Sequence, residues 1–260
     1  MADSRPIGLF DSGVGGLSVL LEITKVLPGE SFVFLADQGH NPYGEKSPKE
    51  LQDLSLRIAK FLLGFDSKLL VVACNTATCY ALDTLRSTFN IPIVGVVPAI
   101  KPAASQTKKK KIAIISTPAT AKSDYLSQLV ADHADNLAVL KLGCDGLEES
   151  IEYLKFSKIT TLLKKYTGEI KKFGADVVVL GCTHYPFVKE EIRQKLGPKV
   201  KIIDSGSAIA ARTRSILAAR NELAQGPSKD LYFTTGNAKI FSKVASTLLQ
   251  YNVVAQKVTI

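Results

Sequence analysis

The sequence predicts an α/β protein of two similar domains, each with a largely parallel sheet, related by pseudo-two-fold symmetry, with the active site in the cleft between them. Three observations carry this expectation. Short runs rich in Val and Ile alternate with longer stretches of helical periodicity, the pattern of parallel strands joined by crossover helices and covered on both faces. An apolar strand ending in a small residue, followed by Cys and polar residues, occurs twice: Leu69-Leu70-Val71-Val72-Ala73-Cys74-Asn75-Thr76 and Val177-Val178-Val179-Leu180-Gly181-Cys182-Thr183-His184. The starts of the two halves also correspond, Ile7-Gly8-Leu9-Phe10-Asp11-Ser12 with Ile112-Ala113-Ile114-Ile115-Ser116-Thr117, and the spacing to the cysteine agrees: 63 residues from 11 to 74 and 65 from 117 to 182.

In order, the candidate strands are 7–10, 32–36, 69–73, 91–94, 112–116, 138–142, 177–180, 200–203, 232–234 and 253–256. Most of the intervals hold one helix. Ser47-Pro48-Lys49-Glu50 reads as a helix start, with Ser as N-cap, Pro in the first turn and Glu three residues after the cap; Leu51, Leu54, Ile58, Phe61 and Leu62 then recur at helical spacing. The expected first domain is 1–97 plus 207–260, supplying Asp11 and Cys74. The second is 98–206, supplying Cys182 and His184, after which the C-terminal strands rejoin the first. Ligands of such sheets bind at the carboxyl ends of the strands.

Composition narrows the function classes. At 260 residues and 46% hydrophobic content, the chain can bury a substantial core. No apolar run approaches the ~20 residues that span a bilayer, and the first residues lack the basic and apolar regions of a signal peptide, so no membrane association and a cytoplasmic location are expected. The net charge of +9 and the run Lys108-Lys109-Lys110-Lys111 read as a solvated loop before a strand. No aromatic residues interleave with the basic ones, and no nucleic-acid partner is expected. Four cysteines in a chain of this length do not form a disulfide framework. Cys79 and Cys144 read as core residues, His40 and His133 as surface or loop residues. Gly13-Val14-Gly15-Gly16 lacks the Gly-Lys-Ser/Thr of a phosphate loop, and Ser18 stands where the dinucleotide fingerprint has its last glycine; these glycines suit a tight turn near a small anion.

A cysteine where a strand hands over to a helix sits near free backbone N–H groups and the positive end of the helix dipole, both of which favour the thiolate. Two such cysteines in matched positions suggest a proton donor and a proton acceptor acting on opposite sides of one ligand, which suits stereoinversion. Asp11 also reads as an N-cap of the helix that follows it.

The segments Gly8-Leu9-Phe10-Asp11-Ser12-Gly13-Val14-Gly15-Gly16-Leu17, Asn41-Pro42-Tyr43-Gly44, Ala73-Cys74-Asn75-Thr76-Ala77-Thr78 and Leu180-Gly181-Cys182-Thr183-His184-Tyr185-Pro186, with Asp204-Ser205-Gly206 later in the chain, resemble the glutamate racemases of the aspartate/glutamate racemase superfamily. The resemblance covers essentially the whole chain. It implies that Cys74 and Cys182 are the acid–base pair, the first acting on D-glutamate and the second on L-glutamate. Asp11 is implied to assist Cys74 and His184 to assist Cys182. Asp11, Ser12, Tyr43, Gly44, Asn75, Thr76, Thr183 and His184 are the implied substrate-binding positions. It also implies catalysis without a cofactor, a homodimer, and a role in supplying D-glutamate for peptidoglycan. No metal is expected, because the Cys182-Thr183-His184 spacing is unlike the usual zinc-ligand gap and no second close pair exists. The competing readings are a racemase of aspartate or a related amino acid, and a non-catalytic amino-acid-binding protein. A thiol-redox protein is disfavoured by the lack of a Cys-x-x-Cys motif.

Overall fold

Each apolar run that reads as a strand becomes one, and each break has a local cause. The computed structural model describes residues 3–260. The chain begins with β1 (Ile7–Asp11), α1 (Leu17–Val26), β2 (Phe32–Ala36), α2 (Pro48–Leu63), β3 (Leu69–Val72), α3 (Asn75–Thr88) and β4 (Ile93–Gly95). It continues with α4 (Ile100–Gln106), β5 (Lys111–Ser116), α5 (Pro118–Lys122), α6 (Asp124–Ala134), β6 (Ala138–Gly143), α7 (Leu147–Glu152), α8 (Phe156–Phe173), β7 (Val177–Leu180), α9 (Lys189–Leu196) and β8 (Lys201–Ile203). It ends with α10 (Gly206–Ala219), β9 (Leu231–Thr234), α11 (Ala238–Leu249) and β10 (Ala255–Lys257). Ser47 caps α2 as its sequence indicates: its hydroxyl accepts from the Glu50 amide, and the Glu50 carboxylate accepts from the Ser47 amide at 2.8 Å. Two strands start two residues later than their apolar runs. Pro92 has no amide to donate, so β4 begins at Ile93. The Val253 amide is taken by the Ser246 hydroxyl of α11 at 2.9 Å, so β10 begins at Ala255.

The chain divides into two units, one built from the residues up to Val96 together with Gly206–Ile260, the other from Val97–Ser205. The first holds a six-stranded sheet in the order β10-β9-β2-β1-β3-β4, the second a four-stranded sheet in the order β6-β5-β7-β8. All paired strands run parallel. The block β2-β1-β3-β4 and the block β6-β5-β7-β8 have the same winding, so the internal repeat of the sequence is a repeat of topology. In each block the strand order reverses between the first strand and the third. This is the switch point whose carboxyl ends open a crevice for a ligand.

In the first unit, β1 and β2 are buried along their whole length, because α2 and α3 cover one face through Leu51, Leu54, Ile58, Ala77, Leu82 and Leu85. In the second unit Leu147, Ile151, Ile159, Leu163, Ile170 and Ile192 from α7, α8 and α9 pack on one face of the sheet. Ile100 and Leu126 from α4 and α6 pack on the other.

At the amino end of β3, the Lys68 ammonium is fully buried. It meets the Glu30 carboxylate at 2.7 Å and donates to the carbonyls of Asp3 and Glu222, each at 2.7 Å. Glu30 in turn accepts from the Ala224 amide at 2.8 Å. The pair ties the returning C-terminal segment to the base of the sheet. Removing one member leaves an uncompensated buried charge, so Lys68→Ala costs about 3–5 kcal/mol and lowers the melting temperature by roughly 10 °C in a thermal scan. An unchanged melting temperature contradicts this role.

Candidate active site

In the first unit the site is built at the carboxyl ends of β1 and β3. Parallel pairing sets Phe10 beside Val72, and the Ala73 amide continues the ladder to the Phe10 carbonyl at 2.8 Å. Asp11 and Cys74 therefore leave neighbouring strands side by side. The Asp11 carboxylate is fully buried and accepts from the Ser12 amide at 2.8 Å and the Gly16 amide at 2.5 Å. It thus anchors the turn into α1. Gly16 is required by close approach, since a Cβ there would lie 2.7 Å from the Asp11 Cβ. This packing accounts for glycine at position 16.

Cys74 is the N-cap of α3 in an extended conformation, and its thiol donates to the Ser12 hydroxyl at 3.8 Å. The helix terminus does not decide its ionisation. Burial, at 5% exposure, and the Asp11 carboxylate push the Cys74 thiol well up, against the smaller opposing pull of the Ala77 amide and the Ser12 hydroxyl. This corrects the expectation of a thiol lowered by the helix dipole: in this state Cys74 is protonated.

Tyr43 is buried and its hydroxyl donates to Asp37 at 2.7 Å. Asp37 is itself fully buried and also takes the Thr235 hydroxyl and the His40 Nδ1, both at 2.7 Å. Burial and the Asp37 charge keep the Tyr43 phenol protonated, so toward a ligand it is left with a lone pair to offer. Gly44 follows in the same 3-10 turn and is itself exposed. Asn75 and Thr76 open α3 and are both buried, and the Asn75 Oδ1 has no hydrogen-bond partner among the described residues. A buried amide oxygen without a partner is uncommon and calls for a donor from outside the chain.

In the second unit the Gly181 amide bonds the Ile115 carbonyl at 2.7 Å, which places Cys182 at the end of β7 beside Ser116 at the end of β5. Ser116, not Thr117, stands in the register of Asp11, so this unit has a hydroxyl where the first has a carboxylate. Nor does Cys182 open an α-helix, as the repeat suggests. A turn and a short 3-10 helix, Tyr185–Val188, intervene before α9, because Pro186 has no amide to bond backward. The ionisable partners come instead from His184 and α7. His184 Nδ1 lies 3.7 Å from the Cys182 sulfur, and its Nε2 lies 2.6 Å from a Glu152 carboxylate oxygen and 3.5 Å from one of Glu148. Burial raises the Cys182 thiol, opposed by the hydrogen bond and charge of His184. Burial alone would push the imidazole down, but Glu148, Cys182 and Glu152 together outweigh it and hold His184 well above the ordinary histidine range. Thr183 lies between the two, also buried.

Asp11, Ser12, Tyr43, Gly44, Cys74, Asn75 and Thr76 thus belong to one unit, and Cys182, Thr183 and His184 to the other. Cys144 lies in the core of the second unit, but Cys79 is only half-buried on α3. Sequence reasoning missed Asp37, Glu148 and Glu152. Glu148 and Glu152 are four residues apart on α7 and so share one helix face, a spacing visible in the sequence. Nothing in the sequence separates them from the intervening Glu149, which pairs on the surface with Lys155 and Lys158.

Because its pKa is raised in the folded chain, the stability that protonated His184 contributes is complete below the ordinary value of about 6.5 and is lost as pH rises through the raised one. In a nitrogen-15 titration the His184 ring is expected to remain doubly protonated at pH 7.5. A neutral tautomer at that pH overturns the charge assignment.

Residues 29–213 match the family model described as Asp/Glu/Hydantoin racemase. The chain is 42% identical over 248 residues to the glutamate racemase of Herpetosiphon aurantiacus, an alignment covering 94% of this chain and 98% of that one. Its fold is similar to the crystal structure of a glutamate racemase isoform, RacE1, from Bacillus anthracis, with a TM-score of 0.88 at 34% identity and 98% of both chains covered. It is also similar to the Escherichia coli glutamate racemase in complex with L-glutamate and the activator UDP-MurNAc-Ala, with a TM-score of 0.85 at 34% identity, covering 96% of this chain and 97% of that one. No described helix is long and apolar enough to cross a membrane. Two parallel α/β units, a buried cysteine at the switch point of each, and this similarity along nearly the full length of the chain make it a member of the glutamate racemase family.

Proposed function

We propose that the chain interconverts L- and D-glutamate by proton transfer at Cα between Cys74 and Cys182, with no added cofactor. The observation that carries this reading is that both cysteines are buried at equivalent strand ends, each with its own ionisable partner. Starting from L-glutamate, the Cys182 thiolate takes the α-proton, and the Cys74 thiol delivers its proton to the opposite face of the carbanion. The products are D-glutamate, a Cys182 thiol and a Cys74 thiolate, and the reverse reaction follows the same steps backwards. Asp11 favours the protonated Cys74 that the first direction needs, and it can accept that proton before the second. Protonated His184 favours the thiolate form of Cys182.

The α-proton of an amino-acid zwitterion is very weakly acidic, so fixed donors must stabilise the developing carbanion while water is excluded. Ser12, Thr76 and Thr183 have hydroxyls suited to the substrate carboxylates. The Asn75 Oδ1 and the Tyr43 lone pair suit its ammonium. In this reading the protein is a cytoplasmic homodimer that supplies D-glutamate for peptidoglycan. Similarity to glutamate racemases along nearly the whole chain favours glutamate over aspartate.

The test is the circular dichroism of L-glutamate with purified protein and no added cofactor, with L-aspartate in parallel. The glutamate signal is expected to decay to zero while aspartate persists. A flat glutamate trace from folded protein would sink the reading, and decay of aspartate alone would transfer it to the other branch. Cys74→Ala and Cys182→Ala are each expected to lower turnover at least about a hundredfold, the usual lower range for a proton-transfer group, while glutamate still binds by calorimetry. Retained turnover in either variant removes that cysteine from the mechanism. Light scattering at several protein concentrations tests the dimer, and a monomer mass throughout contradicts it.

A further inference from the structure

We propose that Glu148 is a positioning residue for the half-reaction at Cys182: together with Glu152 it keeps the proton shared by Cys182 and His184 on the imidazole. The inference rests on the racemase reading above and goes beyond its residue assignments. Its basis is the order of groups along one line of contacts. The Cys182 sulfur faces Nδ1 of His184 at 3.7 Å, while both carboxylates face Nε2. Glu152, at 2.6 Å, takes the single hydrogen that Nε2 can donate. Glu148, at 3.5 Å, therefore acts through its charge.

One proton divided between a thiol and an imidazole has two placements, thiol with neutral imidazole or thiolate with imidazolium. Glu148 attracts the imidazolium and repels the thiolate. Because the ring stands between Glu148 and the sulfur, the attraction acts over the shorter distance and wins. The second placement is the form that can take a proton from L-glutamate.

The titratable groups on the neighbouring elements have partners of their own or keep their protons. From α7, Glu149 turns outward to Lys155 and Lys158. Cys144, ahead of α7, is held protonated by burial. The Tyr185 hydroxyl donates to the Ser116 carbonyl at 3.2 Å, and Tyr166 of α8 donates to the Asp145 carbonyl at 2.8 Å. A metal is the other occupant that two carboxylates and an imidazole could hold, their ligand atoms lying within 4.8 Å of one another. The 2.6 Å His184–Glu152 contact argues against this. Two donors on one tetrahedral zinc, with bonds of about 2.0–2.1 Å, stand roughly 3.3 Å apart.

Enantiomers have equal free energy in water, so kcat/KM must stay equal in the two directions for every variant. An effect confined to Cys182 therefore appears in kcat and in isotope effects. Glu148→Gln is expected to lower kcat from L-glutamate about tenfold and from D-glutamate less than threefold, as for loss of roughly one pKa unit of tuning at a single base. The deuterium isotope effect with L-[2-2H]glutamate is expected to rise while that with the D-enantiomer holds. The alkaline limb of the L-glutamate profile is expected to move to lower pH, since the imidazolium loses a stabilising charge. Glu148→Met must reproduce these changes and Glu148→Asp must largely reverse them. Independently of turnover, the nitrogen-15 shift of His184 at pH 7.5 is expected to move toward the neutral form in Glu148→Gln. That readout tests the proposal even if the wild-type protein fails to racemise glutamate, a failure that would count against the racemase reading alone. Equal losses from both enantiomers with an unmoved His184 shift would overturn the proposal, as would wild-type activity that is abolished by a chelator and restored by zinc.

Discussion

A buried thiol is tolerated as long as it keeps its proton, whereas a buried thiolate needs a compensating charge or a set of donors. Both cysteines at the switch points are about 5% exposed, so each demands an ionisable neighbour if it is to exchange a proton. The rest of the site follows from that demand. Asp11 is fixed by the amides of Ser12 and Gly16, which in turn requires glycine at position 16. His184 is fixed between the Cys182 sulfur and Glu152, which requires α7 to present a buried carboxylate.

The two units meet this demand with opposite charges on the same framework. Their four-strand blocks wind identically, and Cys74 and Cys182 stand at corresponding strand ends. Yet the position that carries Asp11 in one unit carries Ser116 in the other, and the second unit brings its partner from a different direction. A carboxylate beside Cys74 favours the thiol. An imidazolium beside Cys182 favours the thiolate. In the proposed mechanism one duplicated fold thereby gives its two thiols, both raised by burial, neighbours of opposite charge, and this difference comes from the side chains placed beside them.

Much of this was legible in the sequence for physical reasons. Runs such as 32–36 and 177–180 are short and apolar, the first rich in aromatic and the second in β-branched residues, and both are buried along their whole length, so strand and burial coincide. Ser47-Pro48-Lys49-Glu50 specifies a helix start through its own hydrogen bonds. Asp11 and Cys74 could be paired because parallel neighbours bring the ends of β1 and β3 together. What the sequence does not show is long-range charge. Glu152 and Glu149 look alike along the chain, yet one is buried against an imidazole and the other lies among lysines. Asp37 is equally hidden, because its partners Thr235 and Tyr43 come from segments nearly two hundred residues apart. The helix terminus does not lower the Cys74 thiol, because desolvation and Asp11 outweigh it, and Cys182 has no such terminus, because Pro186 turns the chain before α9 begins.

In the proposed mechanism the groups that take and return the proton are different. The most direct measurement is an early time course of L-glutamate in deuterium oxide, following deuterium at Cα in each enantiomer. With two carriers, D-glutamate forms fully deuterated from the first turnovers while the remaining L-glutamate stays protiated, because the Cys182 thiol returns only the proton it removed. Deuterium appearing in the L-enantiomer as fast as in the D-enantiomer, or protium retained in newly formed D-glutamate, would mean one group serves both faces and would contradict the account.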